Sequence, residues 1–297
     1  MKKSLLALTV CGLMSMPGLT MAEELTGTLK KIDETGTITL GHRESSIPYS
    51  YYDNQQNVIG YSHDVSLKIV EGVEKKLGKK VNVKLTPITS QNRIPLMKNG
   101  TIDLECGSTT HNTSRAEEAG FSNTIFIINI RMITDKASGI QSFDDLAKKV
   151  VITTAGTTSE RILRNMEAEK KMGMRIQAAK DHGDAFMMLA DKRGVAFVMD
   201  DSLLYGERAK SPQPDRWVVV GESQGKEAYA CMMRKGDAQF KAVADEVIAE
   251  MSKSGEMEAL YNKWFMNPIP PRNVNLDFPL SDSMRELFEN PSDVPFQ

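Results

Sequence analysis

The stretch NTIFIINIRMITDK, residues 123–136, is an almost continuous apolar run of strand type near the middle of the chain. Such a run is typical of a strand that is buried on both faces. The sequence on either side alternates short β-rich runs with amphipathic helical runs, which is the pattern of parallel α/β units. We therefore interpret residues 123–136 as a strand that passes from one α/β lobe to another.

The segment before this crossing strand forms one βαβαβ unit. Its predicted helix over residues 62–78 places Val65, Ile69 and Val73 on one face and ends at Gly78. A shorter helix is predicted at SQNRIPLMKNG, residues 90–100. The predicted strands are TITLGHR (37–43), VNVKLTPI (81–88) and TIDLECGS (101–108).

The segment after the crossing strand repeats this order. Its predicted strands are KVVITTAG (149–156), MRIQAAK (174–180) and VAFVMD (195–200), with helices over 157–173 and 181–194. A second apolar run, EAYACMMRKG (227–236), returns the chain, so the helices predicted over 237–254 and 255–265 join the first lobe. The predicted fold class is α/β, with residues 23–128 and 228–297 in lobe 1, residues 129–227 in lobe 2 and a ligand cleft between them.

The first 22 residues have the composition of a secretory signal. Lys2 and Lys3 precede an apolar run, and the segment ends in the small residue Ala22, after which we expect cleavage. A lipoprotein signal that uses Cys11 is the alternative, although bulky Val10 precedes this cysteine. We expect a mature chain that is soluble and exported.

The charge balance argues against a nucleic-acid partner. The chain has 37 basic and 39 acidic side chains, and removal of Lys2 and Lys3 leaves 35 basic ones. Without a basic excess there is little to displace the counterions of a phosphate backbone. Cys106 and Cys231 remain in an oxidising compartment, where an isolated pair is read first as one disulfide if the fold brings the two together.

A hydroxyl-rich loop with one arginine follows the third predicted strand. Ser108, Thr110 and Arg115 are its candidate ligand-binding residues, because a guanidinium matches a carboxylate with two parallel hydrogen bonds. The structural alternative is a surface arginine that begins a short helix and pairs with Glu117 or Glu118.

Two further polar segments follow strands of the second unit. Thr157 and Thr158 open a helix whose free N–H groups suit an anion, although either residue also suits a simple helix cap. Asp200 and Asp201 end an apolar strand. We assign Asp200 to a ligand ammonium and Asp201 to the next helix cap, because a buried carboxylate needs a cationic partner.

Three basic residues also flank predicted strand ends, namely Arg43, Arg93 and His182. Each one alone is more often structural, and His182 in particular suits a helix start with a bond to Asp184. Together they indicate a ligand with more than one negative group. The four histidines lack metal-ligand spacing, and neither a phosphate-binding loop nor a dinucleotide fingerprint is present, so no metal and no cofactor are predicted.

Several motifs resemble the family-3 solute-binding proteins of amino-acid ABC transporters, in their glutamate/aspartate-binding branch. These motifs are GHRESSIPYSYYDNQQNVIGYS, ITSQNRIPLMKNGTIDLECGSTT, AGTTSE, AKDHGD, AFVMDDSLL and SGEMEALYNKWFMNPIPP. The resemblance covers nearly all of the mature chain. It implies a type II periplasmic binding protein that closes over L-glutamate or L-aspartate, delivers it to transmembrane permease subunits, and acts as a monomer.

The resemblance also implies roles for individual residues. Arg115 holds the α-carboxylate with help from Ser108, Thr110 and Thr158, and Asp200 takes the α-ammonium. The side-chain carboxylate meets Arg43, Arg93 and His182, with Ser90 nearby. In such a fold the returning strand lies beside TIDLECGS, which predicts a Cys106–Cys231 disulfide, with two buried free cysteines as the alternative.

An enzyme on the same fold, such as a dehydratase or deaminase of a small amino acid or cyclic acid, is the alternative function. Its reaction needs a general acid or base at the reacting carbon. The candidate residues are mostly arginines and hydroxyls, which bind anions well and transfer protons poorly. The residues therefore favour a binding protein over an enzyme.

Overall fold

A computed structural model of the protein describes residues 24–295. The predicted signal segment 1–22, with its cleavage site after Ala22, lies outside the described residues. No helix in the described range is long and apolar enough to cross a membrane.

The described chain alternates helices and strands. The helices are α1 Gly27–Thr35, α2 Tyr61–Leu77, α3 Arg93–Lys98, α4 Thr113–Ala116, α5 Thr158–Lys170, α6 His182–Ala190, α7 Asp201–Lys210, α8 Ala238–Ser254, α9 Glu256–Phe265 and α10 Asp282–Glu289. The strands are β1 Thr37–His42, β2 Ser45–Ser46, β3 Ser50–Tyr52, β4 Val58–Ile59, β5 Asn82–Pro87, β6 Leu104–Glu105, β7 Gly120–Asp135, β8 Val150–Thr154, β9 Arg175–Ala179, β10 Ala196–Asp200, β11 Trp217–Val220 and β12 Lys226–Met233.

The first half of the sheet has the strand order β5, β1, β6, β12 and β7. Strand β1 is parallel to both β5 and β6, whereas β12 is antiparallel to β6 and β7. The parallel arrangement brings the carboxyl ends of β1 and β6 to the same edge. The residues that follow these strands, Arg43 and the Ser108–Thr110 loop, therefore lie next to each other.

The second half of the sheet is built on the far end of β7. Residues 130–135 of this strand pair with β10 and with β11, both antiparallel. Strand β10 is in turn parallel to β8, which is parallel to β9. The carboxyl ends of β8 and β10 again meet at one edge, where α5 and α7 begin.

Strand β7 is the physical connection between the two halves. Its residues 120–129 pair with β12, and its residues 130–135 pair with the strands of the second half. The predicted crossing at residues 123–136 is therefore a single 16-residue strand. The half that contains β1 is called the first lobe, and the half that contains β8 is called the second lobe. The predicted boundaries at 128/129 and 227/228 stay a prediction.

The second crossing also follows the sequence. The predicted return at residues 227–236 corresponds to β12, which ends at Met233 and leads into α8. Helix α8 packs against α2 and β7. The chain therefore returns to the first half of the sheet.

Helix α1, helix α10 and a small antiparallel sheet of β2, β3 and β4 were not predicted. Strand β6 is also shorter than expected, because it ends at Glu105 within the predicted run 101–108. Buried arginine side chains, together with the backbone of β12, hold the residues that follow β6.

Buried apolar side chains of both halves form one large core cluster, and a smaller separate cluster that includes Ile88, Met97 and Phe121 lies in the first half. In the first lobe, Tyr49, Tyr61, Phe126 and Phe265 pack edge to face or stacked, with ring centroids 4.8–6.3 Å apart. Tyr49 belongs to the segment that joins β2 to β3, and its hydroxyl donates to Ser202 Oγ of the second lobe at 2.6 Å.

Candidate functional site

The hydroxyl-rich loop, which contains Ser108, Thr109 and Thr110 and is called the hydroxyl loop below, lies against the returning strand β12. Cys106, just before the loop, forms a disulfide with Cys231 of β12, and their Cα atoms are 4.3 Å apart. The His111 N–H donates to the Ala228 carbonyl at 2.8 Å. The predicted disulfide is confirmed, and it anchors the loop to one of the two crossing strands.

Arg43 and Arg93 both bind this loop from inside the protein. The Nη1 of Arg43 donates to Ser108 Oγ at 3.2 Å. The Nη1 of Arg93 donates to the Ser108 carbonyl at 3.1 Å and to Thr109 Oγ1 at 2.7 Å. Each arginine side chain is only 1% exposed. Both guanidiniums are thus held in place by neutral oxygen atoms.

Arg115 lies in the short helix α4, which Asn112 caps by accepting the Arg115 N–H. Its guanidinium donates to the Thr110 carbonyl at 3.0 Å and to the Gly156 carbonyl at 3.3 Å. The second bond reaches the turn before α5, so Arg115 connects the two lobes. The alternative of a surface ion pair with Glu117 or Glu118 is absent among the described residues.

The three arginines share one electrostatic property. Within residues 24–295, no acidic side chain lies within 4.0 Å of the guanidinium of Arg43, Arg93 or Arg115. Burial and the positive charge of Arg93 lower the pKa of Arg43 to about 10 and that of Arg115 to about 9. All three remain charged at neutral pH, and a bound anion would relieve their mutual repulsion.

His182 is the first residue of α6 and is 1% exposed. Its Nε2 lies 3.3 Å from Arg43 Nη2, and its Nδ1 lies 2.9 Å from Thr154 Oγ1. Burial, with the positive charges of Arg43 and Arg93, holds the pKa of His182 well below its usual value. The ring is therefore neutral, with Nε2 accepting from Arg43 and Nδ1 donating to Thr154. The predicted bond to Asp184 is replaced by this contact.

Asp200 ends β10 and lies in the same region. Its Oδ1 accepts from Ser159 Oγ at 3.2 Å, and its Oδ2 accepts from the Tyr229 hydroxyl. Burial and the nearby charge of Glu227 raise the pKa of Asp200 to about 7. No basic side chain of the described residues pairs with this carboxylate. The site thus contains a carboxylate that lacks a cation.

Asp201 is the first residue of α7, whereas Asp200 occupies the N-cap position and makes no side-chain cap bond, so the prediction that Asp201 is the N-cap is wrong. The Oδ1 of Asp201 accepts from the Ser202 N–H at 2.8 Å and from the Asn129 N–H at 3.2 Å. The first bond satisfies an N–H group at the start of α7, and the second fixes this helix to the crossing strand β7.

Thr157 is the helix cap that was considered for it, whereas the anion site at the N–H groups of this helix start stays a prediction. The Oγ1 of Thr157 accepts from the Glu160 N–H at 3.1 Å, so Thr157 is the cap of α5. The Oγ1 of Thr158 donates to Glu227 Oε2 at 2.7 Å. Thr110 Oγ1 donates to the same oxygen at 2.7 Å. Glu227 therefore joins the hydroxyl loop of one lobe to the helix start of the other.

Some buried polar atoms here have no hydrogen-bond partner among the described residues. They include Ser90 Oγ, Arg93 Nε and Glu105 Oε1. Ser90 is 5% exposed and lies just before α3, whose first residue is Arg93. A buried polar atom without a partner costs roughly 1–3 kcal/mol. Such atoms are expected where a polar ligand completes the hydrogen bonds.

The structure brings the predicted residues together at the edge between the two lobes. Direct contacts link Arg43, Arg93, Arg115, Ser108 and Thr110 through the hydroxyl loop. His182 joins this group through Arg43, and Thr158 joins it through Glu227. Asp200 reaches it through Tyr229 of β12.

Sequence reasoning missed Glu227 and Tyr229. Both residues belong to the returning apolar run, which was interpreted only as a crossing strand. An acidic residue at the start of such a run was the available signal for Glu227. Its partner Thr110 is 117 positions away in the sequence, so the contact could not be read from local spacing.

A large surface groove of the described residues lies elsewhere. It has a volume of about 640 Å³ and runs between α2 and α8, with Lys68, Lys75, Glu246 and Glu250 among its lining residues. None of the predicted ligand-binding residues lines it. Its lysines and glutamates are the ordinary charged faces of two packed helices.

Comparison with known proteins supports the same fold. A profile of the bacterial extracellular solute-binding proteins, family 3, matches residues 38–267. The chain is 54% identical over 99% of its length to a glutamate/aspartate import solute-binding protein from Salmonella typhimurium, of which it covers 98%. It is 57% identical over 90% of its length to the protein of that name from Escherichia coli, of which it covers 88%.

A solved structure of an ancestral arginine-binding protein bound to arginine is also similar. Its TM-score is 0.70 at 27% identity, and the match covers 77% of this chain and 98% of that one. The predicted fold class, a type II periplasmic binding protein, is confirmed.

Proposed function

We propose that this chain, which belongs to the bacterial extracellular solute-binding proteins of family 3, captures L-glutamate and L-aspartate and delivers them to the permease subunits of an ABC importer. One observation carries the proposal. Three buried or half-buried arginines surround one hydroxyl loop, and no acidic side chain of the described residues lies within 4.0 Å of them. The names of the two bacterial relatives support the same ligands.

The arrangement suits a dicarboxylate that carries one ammonium. Arg115 presents its guanidinium between the lobes and is assigned to the α-carboxylate. Arg43 and Arg93 are more deeply buried and are assigned to the side-chain carboxylate, together with the unpartnered hydroxyl of Ser90, three positions before Arg93. Asp200, which lacks a cationic partner, is assigned to the α-ammonium. A neutral amino acid would leave the guanidiniums of Arg43 and Arg93 without an anion. Their burial therefore favours acidic ligands over neutral ones.

His182 contacts Arg43 as a neutral ring and so adds no charge to the part of the site formed by Arg43 and Arg93. Because its ring is neutral, Nε2 accepts from Arg43 and orients that guanidinium. A charged imidazolium at this position would repel Arg43. We therefore assign His182 to the positioning of Arg43 near neutral pH, in addition to its predicted contact with the ligand.

Ligand capture is proposed to close the lobes over the cleft. Contacts between the lobes support this motion, since Arg115 bonds the Gly156 carbonyl and Tyr49 donates to Ser202 Oγ at 2.6 Å. Exclusion of water strengthens each charged contact inside the cleft. We propose residues 129–227 as the second lobe and the strands β7 and β12 as the hinge.

The relatives support a binding protein over the dehydratase or deaminase alternative, because the Salmonella and Escherichia proteins are import solute-binding proteins. Incubation of the protein with L-glutamate, followed by chromatographic recovery of the unchanged amino acid, distinguishes the two functions. Conversion of the ligand would contradict the proposal.

Location and assembly belong to the same proposal. We propose that the chain is exported to the periplasm by a signal that is cleaved after Ala22. We also propose that it acts as a monomer and binds no nucleic acid. N-terminal sequencing of the exported protein tests the cleavage site, and light scattering of the purified protein tests the assembly state.

The proposed function is tested by calorimetric titration with L-glutamate, L-aspartate and L-glutamine. We expect saturable binding of the two acidic amino acids and much weaker binding of glutamine. Mass spectrometry of the small molecule that copurifies with the native protein gives an independent test. Equal affinity for glutamine and glutamate, or copurification of a neutral amino acid, would refute the assignment.

A further inference from the structure

Glu227 is a buried acid at the start of the crossing strand β12, and the assignment of ligand groups to Arg43, Arg93, Arg115 and Asp200 leaves it without a role. It is 8% exposed, and no basic side chain within residues 24–295 forms an ion pair with it. Its Oε2 accepts two hydrogen bonds of 2.7 Å, one from a threonine of the hydroxyl loop and one from the first residue of α5. These two hydroxyls come from different lobes.

A threonine hydroxyl has one proton to donate and lone pairs that accept. Because Thr110 and Thr158 donate their protons to Glu227, both hydroxyl oxygens are left as acceptors toward the cleft. They cannot at the same time donate to a ligand carboxylate. The predicted help of the Thr110 hydroxyl to Arg115 is therefore incompatible with the observed contact to Glu227. The help predicted at Thr158 comes from the N–H groups of the helix start, which its contact with Glu227 does not involve.

Asp200 lies on the same side of the cleft. Its pKa is raised to about 7, first by burial and then by the charge of Glu227, so the two carboxylates are close enough to interact. Asp201 adds a further negative charge from the start of α7, and Tyr229 donates to Asp200. Burial lowers the pKa values of Arg93 and Arg115, and the charges of Glu227 and Asp200 are near enough to oppose this lowering, but neither arginine forms an ion pair within 4.0 Å with these acids. The acids and the two hydroxyls thus form a group of acceptors that no cation of the described residues contacts within 4.0 Å.

We propose that Glu227 is a further ligand-recognition residue, which completes the ammonium subsite with Asp200 and holds the hydroxyls of Thr110 and Thr158 as hydrogen-bond acceptors. A primary ammonium brings three N–H donors and a positive charge, which match this set. The proposal rests on the proposed function, since it requires that the ligand is an amino acid.

The same contacts allow a second interpretation, in which Glu227 occupies the place of the ligand α-carboxylate and must be displaced. The two interpretations predict opposite effects of removing the charge. If Glu227 receives the ammonium, its loss weakens amino-acid binding. If it competes with the ligand, its loss strengthens binding.

The experiment compares L-glutamate with glutarate, which has both carboxylates and lacks the ammonium. Binding of L-glutamate to the wild type and to Glu227→Gln is measured by calorimetry, and glutarate is measured by its inhibition of radiolabelled glutamate binding. We expect Glu227→Gln to lower the affinity for glutamate on the order of 10- to 100-fold, because a charged hydrogen-bond acceptor is lost. The affinity for glutarate stays equal or rises.

Glu222→Gln is the matched control, since Glu222 is exposed and lies five positions before Glu227 in the same segment. It should bind both ligands as the wild type does. Circular dichroism verifies that each variant is folded.

An unchanged or higher glutamate affinity in Glu227→Gln, or an equal loss for both ligands, would overturn the proposal. Thr158→Val provides a second test if Glu227→Gln does not fold. It should weaken glutamate and spare glutarate, whereas an equal loss would show that the hydroxyl donates to a carboxylate. Absence of glutamate binding to the wild type would instead refute the proposed function.

Discussion

Replacement of Gly206 by alanine should weaken ligand binding without weakening the fold. Gly206 is buried in α7 of the second lobe, where it faces the segment between β2 and β3 of the first lobe. A Cβ atom on Gly206 would overlap the Ile47 carbonyl oxygen and lie 2.9 Å from the carbonyl carbon. Because this neighbour is backbone, it cannot turn away as a flexible side chain does.

The size of the effect follows from two opposing contributions. Overpacking of a tight contact costs about 1–3 kcal/mol, and this cost applies only when the lobes are closed. It corresponds to a loss of affinity of roughly 5- to 150-fold. Alanine in place of glycine in a helix stabilises by roughly 0.5–1 kcal/mol, and this gain applies in every state of the lobes. The variant should therefore bind more weakly and melt at the same or a higher temperature when unliganded.

The assay combines calorimetric titration with L-glutamate and thermal unfolding of the unliganded protein. Gly72→Ala is the matched control, because its added Cβ would overlap a Val247 methyl group, between α2 and α8 of the first lobe. It should change the melting temperature and leave the affinity as it is. Wild-type affinity in Gly206→Ala would refute the claim that the lobes close over the ligand with Gly206 against Ile47. An equal loss of affinity in both variants would refute it as well.

Three further predictions concern the site and the fold. Arg115→Ala should abolish binding of every amino acid, whereas Arg43→Ala should weaken the binding of glutamate and aspartate more than that of glutamine. The loss of a charge partner costs about 3–5 kcal/mol of binding free energy. Calorimetry with the three ligands checks both expectations. At pH 6, binding of glutamate should release protons, because burial and a second carboxylate raise the pKa of Asp200 to about 7 and the ligand ammonium favours the ionised carboxylate. The affinity for glutamate should therefore rise from pH 5 to pH 8. Calorimetry in buffers of different ionisation enthalpy measures the proton release, and proton uptake would contradict the prediction. The double variant Cys106→Ser and Cys231→Ser should lose about 5 kcal/mol of unfolding free energy, since the disulfide closes a loop of 125 residues; an unchanged denaturant midpoint would argue against it.

The order of secondary structure was largely available from the sequence. Hydrophobic periodicity located α2, α5 and α8, and apolar runs located the crossing strands β7 and β12. These signals are local, so they survive without knowledge of the fold. The small sheet of β2, β3 and β4 escaped prediction because its strands have only two or three residues, too few to show a period.

The candidate site was predictable in its residue types and less so in its contacts. Arg43, Arg93 and Arg115 could be singled out because each follows or flanks a strand end. The hydrogen-bond partner of each guanidinium could not be predicted from the sequence. All three guanidiniums bind oxygen atoms of the Ser108–Thr110 loop. Prediction of the disulfide depended on a family resemblance, because two cysteines alone leave open whether the fold brings them together.

The sequence by itself determined that the protein consists of two α/β halves joined by two strands, with cationic and hydroxyl side chains at the strand ends. Only the tertiary structure decided which hydrogen bonds these side chains donate or accept and which of them carry a proton. Thr110 and Thr158 donate to Glu227 across 117 and 69 positions of sequence, and His182 is neutral because burial and two guanidiniums make its charged form unfavourable. Protonation and hydrogen-bond direction depend on distances of a few ångströms between atoms far apart in the chain, and local sequence patterns do not contain those distances.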